Sequence, residues 1–177
     1  EELPGRVLCR FGQNLVVTDA AGNPRPCLVR ANLNDVVCGD HVVWQPTADG
    51  AGVITAVQPR HGVLARPDYS GRQKPLAANL TQLVIVVAPR PEPTGYLIDQ
   101  YLVTSELIGL QACIALNKSD LLDTHALAAF QQRFARYADI GYPLISVSAK
   151  TDHGLDPLRA RLQGHTSILV GQSGVGK

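Results

Sequence analysis

The sequence predicts a small β-barrel followed by an α/β domain, and the contrast between its two halves carries this prediction. Residues 1–60 alternate short β-branched stretches with turn residues and show almost no helical period, a pattern typical of a small closed barrel. Residues 81–177 alternate apolar runs with stretches of helical period, as expected of strands and helices that build a parallel sheet. With 45% hydrophobic and only 18% charged residues, the chain has ample apolar material for packed cores.

Five short strands are predicted in the barrel, at 5–10, 13–18, 27–30, 41–44 and 52–57. The segment Ala21-Gly22-Asn23-Pro24 forms the turn before the third strand and Asp49-Gly50 the turn before the fifth, because glycine and asparagine tolerate positive φ and proline ends a ladder. An OB-fold is a barrel of this size, and its faces often bind oligonucleotides. An SH3-like barrel fits the same pattern, so the strands favour the OB-fold without excluding this alternative.

Residues 61–80 are predicted to be a basic linker, since prolines and a glycine interrupt any regular period. Basic side chains outnumber acidic ones here, with Arg60, Arg66, Arg72 and Lys74 against Asp68, and Tyr69 lies among them. Such a stretch could contact RNA phosphates through its cations and stack one base on its aromatic ring. The same composition suits a solvated linker, so the four cations are candidates for RNA contact and no more.

Four buried strands and three intervening helices are predicted in the α/β domain. The strands lie at 81–88, 111–116, 143–147 and 166–170. The first helix follows from the spacing of Leu97, Tyr101, Ser105 and Ile108, with Ile98 and Leu102 beside them; the second is capped by Asp123 or Thr124 and ends near Gly141; the third carries Leu155, Leu158 and Leu162. Ligands of such a sheet bind at the carboxyl ends of its strands.

A glycine-rich loop directly follows the fourth of these strands. Its sequence, Gly171-Gln172-Ser173-Gly174-Val175-Gly176-Lys177, matches the pattern G-x-x-x-x-G-K. The glycines let backbone N–H groups turn toward a phosphate, and the lysine supplies a cation for the β- and γ-phosphates. These seven residues are therefore predicted to cradle the phosphates of a nucleotide. The serine or threonine that holds Mg²⁺ in this pattern would follow Lys177.

A second motif, Asn117-Lys118-Ser119-Asp120, follows the strand 111–116 and is predicted to select the base. The Asp120 carboxylate can accept from guanine N1–H and from the N2 amine, two donors that adenine lacks on that edge. Asn117 can hydrogen-bond on the other side of the ring and tie its loop to the glycine-rich loop, while the stem of Lys118 can cover the base. A surface turn also favours Asn and Asp, but beside a phosphate-binding loop the motif indicates guanine.

A third motif, Ser148-Ala149-Lys150, follows the strand 143–147. It matches the loop that completes the base pocket of GTPases, in which the Ala149 N–H would donate to guanine O6. The three motifs occur in an unusual order, because ordinary Ras-like GTPases begin with the glycine-rich loop, whereas here it comes last. The sequence therefore predicts an α/β P-loop GTPase domain of circularly permuted topology.

Charge and cysteine content argue against other classes of protein. The formal net charge of +1 demands neither a nucleic acid nor a membrane as partner, and apolar runs such as 83–88 are far shorter than the roughly 20 residues of a membrane helix. Cys9, Cys27, Cys38 and Cys113 lack the spacing of a zinc or redox motif. We expect them to be small buried thiols in a reducing cytosol, and no metal ligand is predicted.

A β-barrel before a permuted GTPase domain resembles the ribosome small-subunit-dependent GTPase A family. The stretches that match are 37–44, 78–86, 97–102, 116–122 and 166–177. The resemblance implies a cytoplasmic, monomeric bacterial factor for late maturation of the small ribosomal subunit, with an OB-fold that contacts ribosomal RNA and with GTP hydrolysis that the subunit stimulates. It implies no membrane partner.

The resemblance also implies cofactors. GTP or GDP occupies the pocket, Mg²⁺ is held by residues that come after Lys177, and Zn²⁺ belongs to a C-terminal domain of the family. Both switch regions also come after Lys177, so we expect these 177 residues alone to bind GTP poorly and to hydrolyse it negligibly. Two rival hypotheses are an RNA-binding module with a regulatory, non-hydrolysing nucleotide site, and an ATP-using P-loop enzyme.

Overall fold

The chain folds as two units, residues 1–80 and residues 81–177. The computed structural model describes residues 1–33, 35–48 and 50–177. Asp49, which the sequence analysis assigns to the turn before the fifth strand, lies outside the described residues. Each unit has its own hydrophobic core.

The first unit contains the predicted five-stranded barrel. Its strands are β1 (Leu3–Phe11), β2 (Asn14–Thr18), β3 (Pro24–Val29), β4 (His41–Pro46) and β5 (Gly52–Val57). They close in the order β1-β2-β3-β5-β4, and β4 pairs back onto β1. The β3–β5 pair is parallel and the others are antiparallel. This closed Greek-key order is that of an OB-fold, so the predicted barrel is confirmed.

Alternation along the strands fills the barrel interior. Leu15 and Val17 on β2 and Val42 and Trp44 on β4 are buried, while Asn14 and His41 are exposed. The Trp44 indole N–H donates to the carbonyl oxygen of Pro4 at 3.3 Å, so the one tryptophan of the chain is both packed and satisfied. The hydrophobic period of two in the sequence therefore marks the side of each strand that faces the core.

The segment predicted as a linker forms a β-hairpin in the first unit. Strands β6 (Leu64–Pro67) and β7 (Gln73–Ala77) pair in antiparallel fashion. The turn between them is held by Asp68, whose backbone N–H donates to the carbonyl of Arg72 and whose carbonyl accepts from Gly71. Pro67 and Pro75, which suggested irregular structure, lie in a two-stranded sheet with free edges, where proline costs little.

The second unit contains a four-stranded parallel sheet. Its strands are β8 (Gln82–Val87), β9 (Gln111–Leu116), β10 (Leu144–Ser146) and β11 (Ser167–Val170), in the order β10-β9-β8-β11. The helices are α1 (Gly95–Leu107), α2 (Thr124–Asp139) and α3 (Leu155–Leu162). All four strands and three helices of the sequence prediction are confirmed. The central strand β8 is buried along its whole length, which accounts for its unbroken apolar run.

The structure identifies the inward face of α1 and the residue that caps α2. The buried residues of α1 are Ile98, Leu102 and Ser105, all of which the prediction names, whereas Leu97 and Tyr101 are only half-buried. Asp123 caps α2, because its side chain accepts from the Ala126 N–H at 2.8 Å.

The four cysteines are free thiols. Cys27 and Cys113 are buried, and burial raises the pKa of both. Cys9 and Cys38 are only half-buried, so the expectation of burial holds for two of the four. Within the described part of the chain, no helix is both long enough and apolar enough to cross a membrane.

Candidate functional site

The three sequence motifs lie at one edge of the parallel sheet. Strands β9, β10 and β11 end at Leu116, Ser146 and Val170, and the three motifs follow these ends. Because the strands are parallel, their carboxyl ends share an edge, which is where sheets of this type bind ligands. The topology therefore brings residues 117–120, 148–150 and 171–177 to the same side of the unit.

Asn117 connects all three motifs. Its side chain is buried, with 4% of the residue exposed. The Nδ2 group donates to the carbonyl of Val175 at 2.9 Å, and Oδ1 accepts from the Ala149 N–H at 3.2 Å. Both ends of one amide thus bind loops that are 58 and 32 residues away in sequence, and this cross-link fixes the mutual position of the three loops.

Lys118 adds a second connection between the same elements. Its backbone is left-handed, with φ of 62°. The ammonium group donates to the carbonyl of Arg90 at 2.9 Å and to the carbonyl of Gly174. The aliphatic stem therefore runs from the 117–120 loop to the glycine-rich loop. Arg90 lies just beyond β8 and was not identified from the sequence; its position after a central strand was the only available signal.

Asp120 is oriented by a buried hydroxyl. Ser148, which is fully buried, donates to Oδ1 of Asp120 at 2.6 Å, and its hydroxyl accepts from the Thr151 N–H at 3.2 Å. Asp120 itself is exposed. No residue in the described ranges hydrogen-bonds its other carboxylate oxygen, Oδ2. The carboxylate is thus held from one side and open to a ligand from the other.

The glycine-rich loop passes unusually close to other backbone and side-chain atoms. A Cβ at Gly171 would lie 2.3 Å from the carbonyl oxygen of Val86, and one at Gly176 would lie 2.5 Å from Nδ2 of Asn117. Both residues have positive φ, 149° and 88°. A side chain at either position would therefore displace the loop or Asn117.

The same loop offers unpaired donors. Val175 is buried and anchors it, whereas Gln172, Ser173 and Lys177 are exposed. Among the residues that the structure describes, no protein group accepts from the backbone N–H groups of 172–177. The Lys177 ammonium donates to the Gln172 carbonyl at 3.2 Å. A run of open N–H groups next to a cation is the chemistry of a phosphate cradle.

Ala149 and Lys150 are both exposed. The Ala149 N–H, which the sequence analysis assigns to guanine O6, donates to Asn117 in this structure. The Lys150 N–H has no partner among the described residues. It is a second donor in the same loop that the sequence analysis did not single out.

The four basic candidates for RNA contact lie in the first unit and divide into two kinds. Arg60 forms an ion pair with the fully buried Asp40, with Nε 2.7 Å from Oδ1 and Nη2 2.8 Å from Oδ2. Hydrogen bonding to Asp40 raises the pKa of Arg60. Arg60 is thus committed to the fold, whereas Arg66, Arg72 and Lys74 are exposed on the β6–β7 hairpin.

Across residues 1–33, 35–48 and 50–177, no group of three or more His, Cys, Asp or Glu side chains is arranged to hold a metal ion.

Comparison with known proteins matches this geometry to one family. The sequence model of the RsgA GTPase family matches residues 57–177. The chain is 47% identical over 176 residues to the small ribosomal subunit biogenesis GTPase RsgA of Pseudomonas aeruginosa strain LESB58, covering 99% of this chain and 52% of that protein. It is 48% identical over 177 residues to the protein of the same name from Chromohalobacter salexigens, covering 98% and 52%. The chain thus spans about half the length of the curated relatives it matches.

Two solved structures share the fold. The crystal structure of YjeQ from Thermotoga maritima superposes with a TM-score of 0.79 at 32% identity, covering all of this chain and 63% of that one. The structure of YloQ, described as a circularly permuted GTPase, gives a TM-score of 0.73 at 27% identity and covers 99% and 62%. The barrel and the sheet are therefore shared with a protein that is described as a circularly permuted GTPase.

Proposed function

The chain belongs to the RsgA GTPase family, and from this premise we propose that it binds GTP and contributes to its hydrolysis in a protein that acts in late maturation of the small ribosomal subunit. The observation that carries the proposal is the pair of Asn117 hydrogen bonds, which join the glycine-rich loop and the 148–150 loop around the 117–120 motif. The relatives named as small ribosomal subunit biogenesis GTPases support the biological role.

Guanine is recognised by Asp120 in this proposal. The free side of its carboxylate accepts from N1–H and the N2 amine, and the bond from Ser148 holds it in that orientation. Adenine offers neither donor on that edge, so the oriented carboxylate would be left unpaired with ATP. Leaving a site's polar group unpaired is among the strongest forms of discrimination against a wrong substrate.

The remaining contacts to the base come from the backbone of the 148–150 loop and from the aliphatic stem of Lys118. In this proposal guanine O6 accepts from the open Lys150 N–H and from the Ala149 N–H, which also donates to Asn117. The Lys118 stem covers the base plane, since its ammonium is held at the glycine-rich loop. Asn117 acts as a positioning residue, because both ends of its amide are occupied by protein groups.

The phosphates of GTP fit the glycine-rich loop. The open N–H groups of 172–177 and the Lys177 ammonium supply positive potential, and the close packing of Gly171 and Gly176 keeps side chains out of the cradle. Mg²⁺ neutralises phosphate charge during hydrolysis. The family resemblance assigns its ligands, like the switch regions, to positions after Lys177, and Zn²⁺ to a further domain.

The first unit is proposed to contact ribosomal RNA. OB-fold barrels commonly bind oligonucleotides, and Arg66, Arg72 and Lys74 add exposed positive charge beside the barrel. Arg60 is not part of this surface, because its charge is satisfied by Asp40. We propose accordingly that the protein acts in the bacterial cytoplasm, where the small subunit lies, as a monomer and without a membrane partner.

Nucleotide competition and turnover test the proposal in the whole protein. We expect GTP and GDP to displace a labelled guanine nucleotide while ATP does so only at concentrations at least about 100-fold higher. Displacement by ATP at concentrations comparable to GTP would favour the ATP-using enzyme. Phosphate release under multiple turnover should rise when purified small subunits are added. Guanine binding without any stimulated release would favour the non-hydrolysing, RNA-binding module.

A further inference from the structure

The tip of the β6–β7 hairpin presents an aromatic ring that contributes nothing to either core. Tyr69 has a relative exposure of 113%, against 81% for Leu107, the next most exposed large apolar side chain recorded in the structure. A single exposed apolar residue is ordinary. Two features distinguish Tyr69: the hydrogen-bonded turn that carries it and the three cations on the same hairpin.

The turn that carries Tyr69 is rigidly built. Oδ1 of Asp68 accepts from the Ser70 N–H at 2.8 Å, from the Ser70 hydroxyl at 2.6 Å and from the Arg72 N–H at 3.0 Å. The Ser70 hydroxyl bond is the main cause that lowers the pKa of Asp68, so its carboxylate is ionised near neutral pH. The turn is therefore ordered before any partner arrives, which reduces the entropy lost on binding.

Three cations belong to the same hairpin as the ring, with Arg66 on β6, Arg72 in the turn and Lys74 on β7. Arg66 and Lys74 are directly opposite each other in the strand register, so their side chains share a face. Arg72 lies just before β7, two residues from Lys74. All three are exposed, whereas Ala65 and Pro75 on the other face are half-buried. Within the described part of the chain no ion pair within 4.0 Å engages these cations, although the charge of Lys74 helps to lower the pKa of Asp68.

We propose that this hairpin binds single-stranded RNA, with one unpaired base stacked on Tyr69 and neighbouring phosphates held by Arg66 and Lys74. An aromatic ring recognises the π-face of any unpaired base, and adjacent cations recognise the backbone that carries it. Paired RNA does not offer that face, because its bases are stacked in the helix. An acidic protein surface would use the cations but has no need of the ring.

The proposal rests on the proposed function only for the source of the RNA, a single-stranded segment of the small ribosomal subunit. The ring and the cations make separable contributions. Removing a stacking ring weakens binding without changing the number of phosphates neutralised. Removing cations changes the salt dependence, because each neutralised phosphate of a single strand contributes about −0.7 to the slope of log K against log salt.

Binding of an oligouridine of about 12 nucleotides by the whole protein tests the inference. Fluorescence anisotropy is measured over a salt series with Tyr69→Ala, Tyr69→Phe and the double variant Arg66→Ala/Lys74→Ala. We expect Tyr69→Ala to weaken binding by about 5- to 100-fold at unchanged salt slope, and Tyr69→Phe to stay within about twofold of the parent protein. The double variant should reduce the magnitude of the slope by about 1.4.

Tyr96→Ala is the matched control, since Tyr96 is an exposed tyrosine of the second unit. The inference is overturned if Tyr69→Ala binds oligouridine as tightly as Tyr96→Ala does. Equal losses for oligouridine and for an RNA duplex overturn it too, since the ring would then not be reading unpaired bases. So does loss of small-subunit binding with unchanged oligouridine affinity, which would indicate a protein partner. None of these variants should alter GTP competition, so failure here is distinguishable from failure of the nucleotide site.

Discussion

Residues that are far apart in sequence hold one another at the proposed nucleotide site, whereas the β6–β7 hairpin is built from close neighbours. Asn117 and Ser148 are buried and bind groups 28 to 58 residues away. Around Tyr69, the hydrogen bonds of Asp68 reach no farther than four residues. A substitution at the first site should therefore disturb both fold and binding, while one on the hairpin should disturb binding alone.

The largest expected effect on stability concerns Arg60. The sequence analysis lists it among the candidates for RNA contact, but in the structure it forms an ion pair with the buried Asp40. Replacing it by methionine leaves the buried Asp40 without its partner, and we expect the barrel to lose about 3 kcal/mol, the lower end of the range for broken buried pairs because Arg60 is partly exposed. Denaturant unfolding followed by Trp44 fluorescence measures the loss. Arg66→Met is the matched control, expected within about 0.5 kcal/mol of the parent. Equal stability of both variants would contradict the assignment.

Arg60 also shows where sequence reasoning stops. The barrel strands and the strands and helices of the second unit follow from local periodicity, and the structure confirms them. The three motifs follow strand ends, as their spacing predicts, and their binding of a nucleotide stays a prediction. The ion pair between Arg60 and Asp40 connects residues that are 20 positions apart, so the periodicity and spacing of neighbouring residues could not predict it. The prediction of a linker at Pro67 and Pro75 was wrong, because proline is tolerated in the edge strands of a two-stranded sheet. On α1 both Leu97 and Ile98 are apolar, so the sequence could not decide which faces inward.

The next largest effect is expected from Asn117→Ala. The change removes both cross-links and leaves the Val175 carbonyl and the Ala149 N–H without their partner. We expect unfolding of the second unit to be easier by about 2 kcal/mol and GTP affinity in the whole protein to fall by about 30-fold. Gln100→Ala, an exposed change on α1, serves as control in both measurements. Unchanged GTP affinity in Asn117→Ala would show that the loops do not depend on this amide.

A smaller effect is expected from Ser148→Ala. The hydroxyl orients Asp120 without touching the base, and Asp120 is exposed to water. Loss of the hydroxyl should therefore reduce GTP affinity by about 5- to 10-fold, the value of about one ordinary hydrogen bond. The weak affinity for ATP should not change, so discrimination between the two nucleotides narrows. Isothermal titration with both nucleotides measures this, with Ser146→Ala on β10 as the neighbouring control. Equal losses for GTP and ATP would indicate general damage to the loop.

The smallest effect concerns the pH dependence of the hairpin turn. Hydrogen bonds lower the folded pKa of Asp68 below its ordinary 3.8, so their stabilisation is present above that value and is lost as pH falls through the folded pKa. The Ser70 amide resonance should therefore keep its position down to about pH 4 and move only in more acidic solution. In Asp68→Asn this titration should disappear. A midpoint above 3.8 in the parent protein would mean that the turn is not held by the carboxylate.

The exchange of base specificity in Asp120→Asn tests the central claim most directly, namely that residues near 117, 149 and 174 enclose one guanine nucleotide. The asparagine amide presents a donor where xanthine carries a carbonyl at position 2. Competition binding in the whole protein should show GTP weakened and xanthosine triphosphate strengthened, a combined change of about 100-fold or more. A variant that keeps the parent protein's preference for GTP over xanthosine triphosphate would contradict the account.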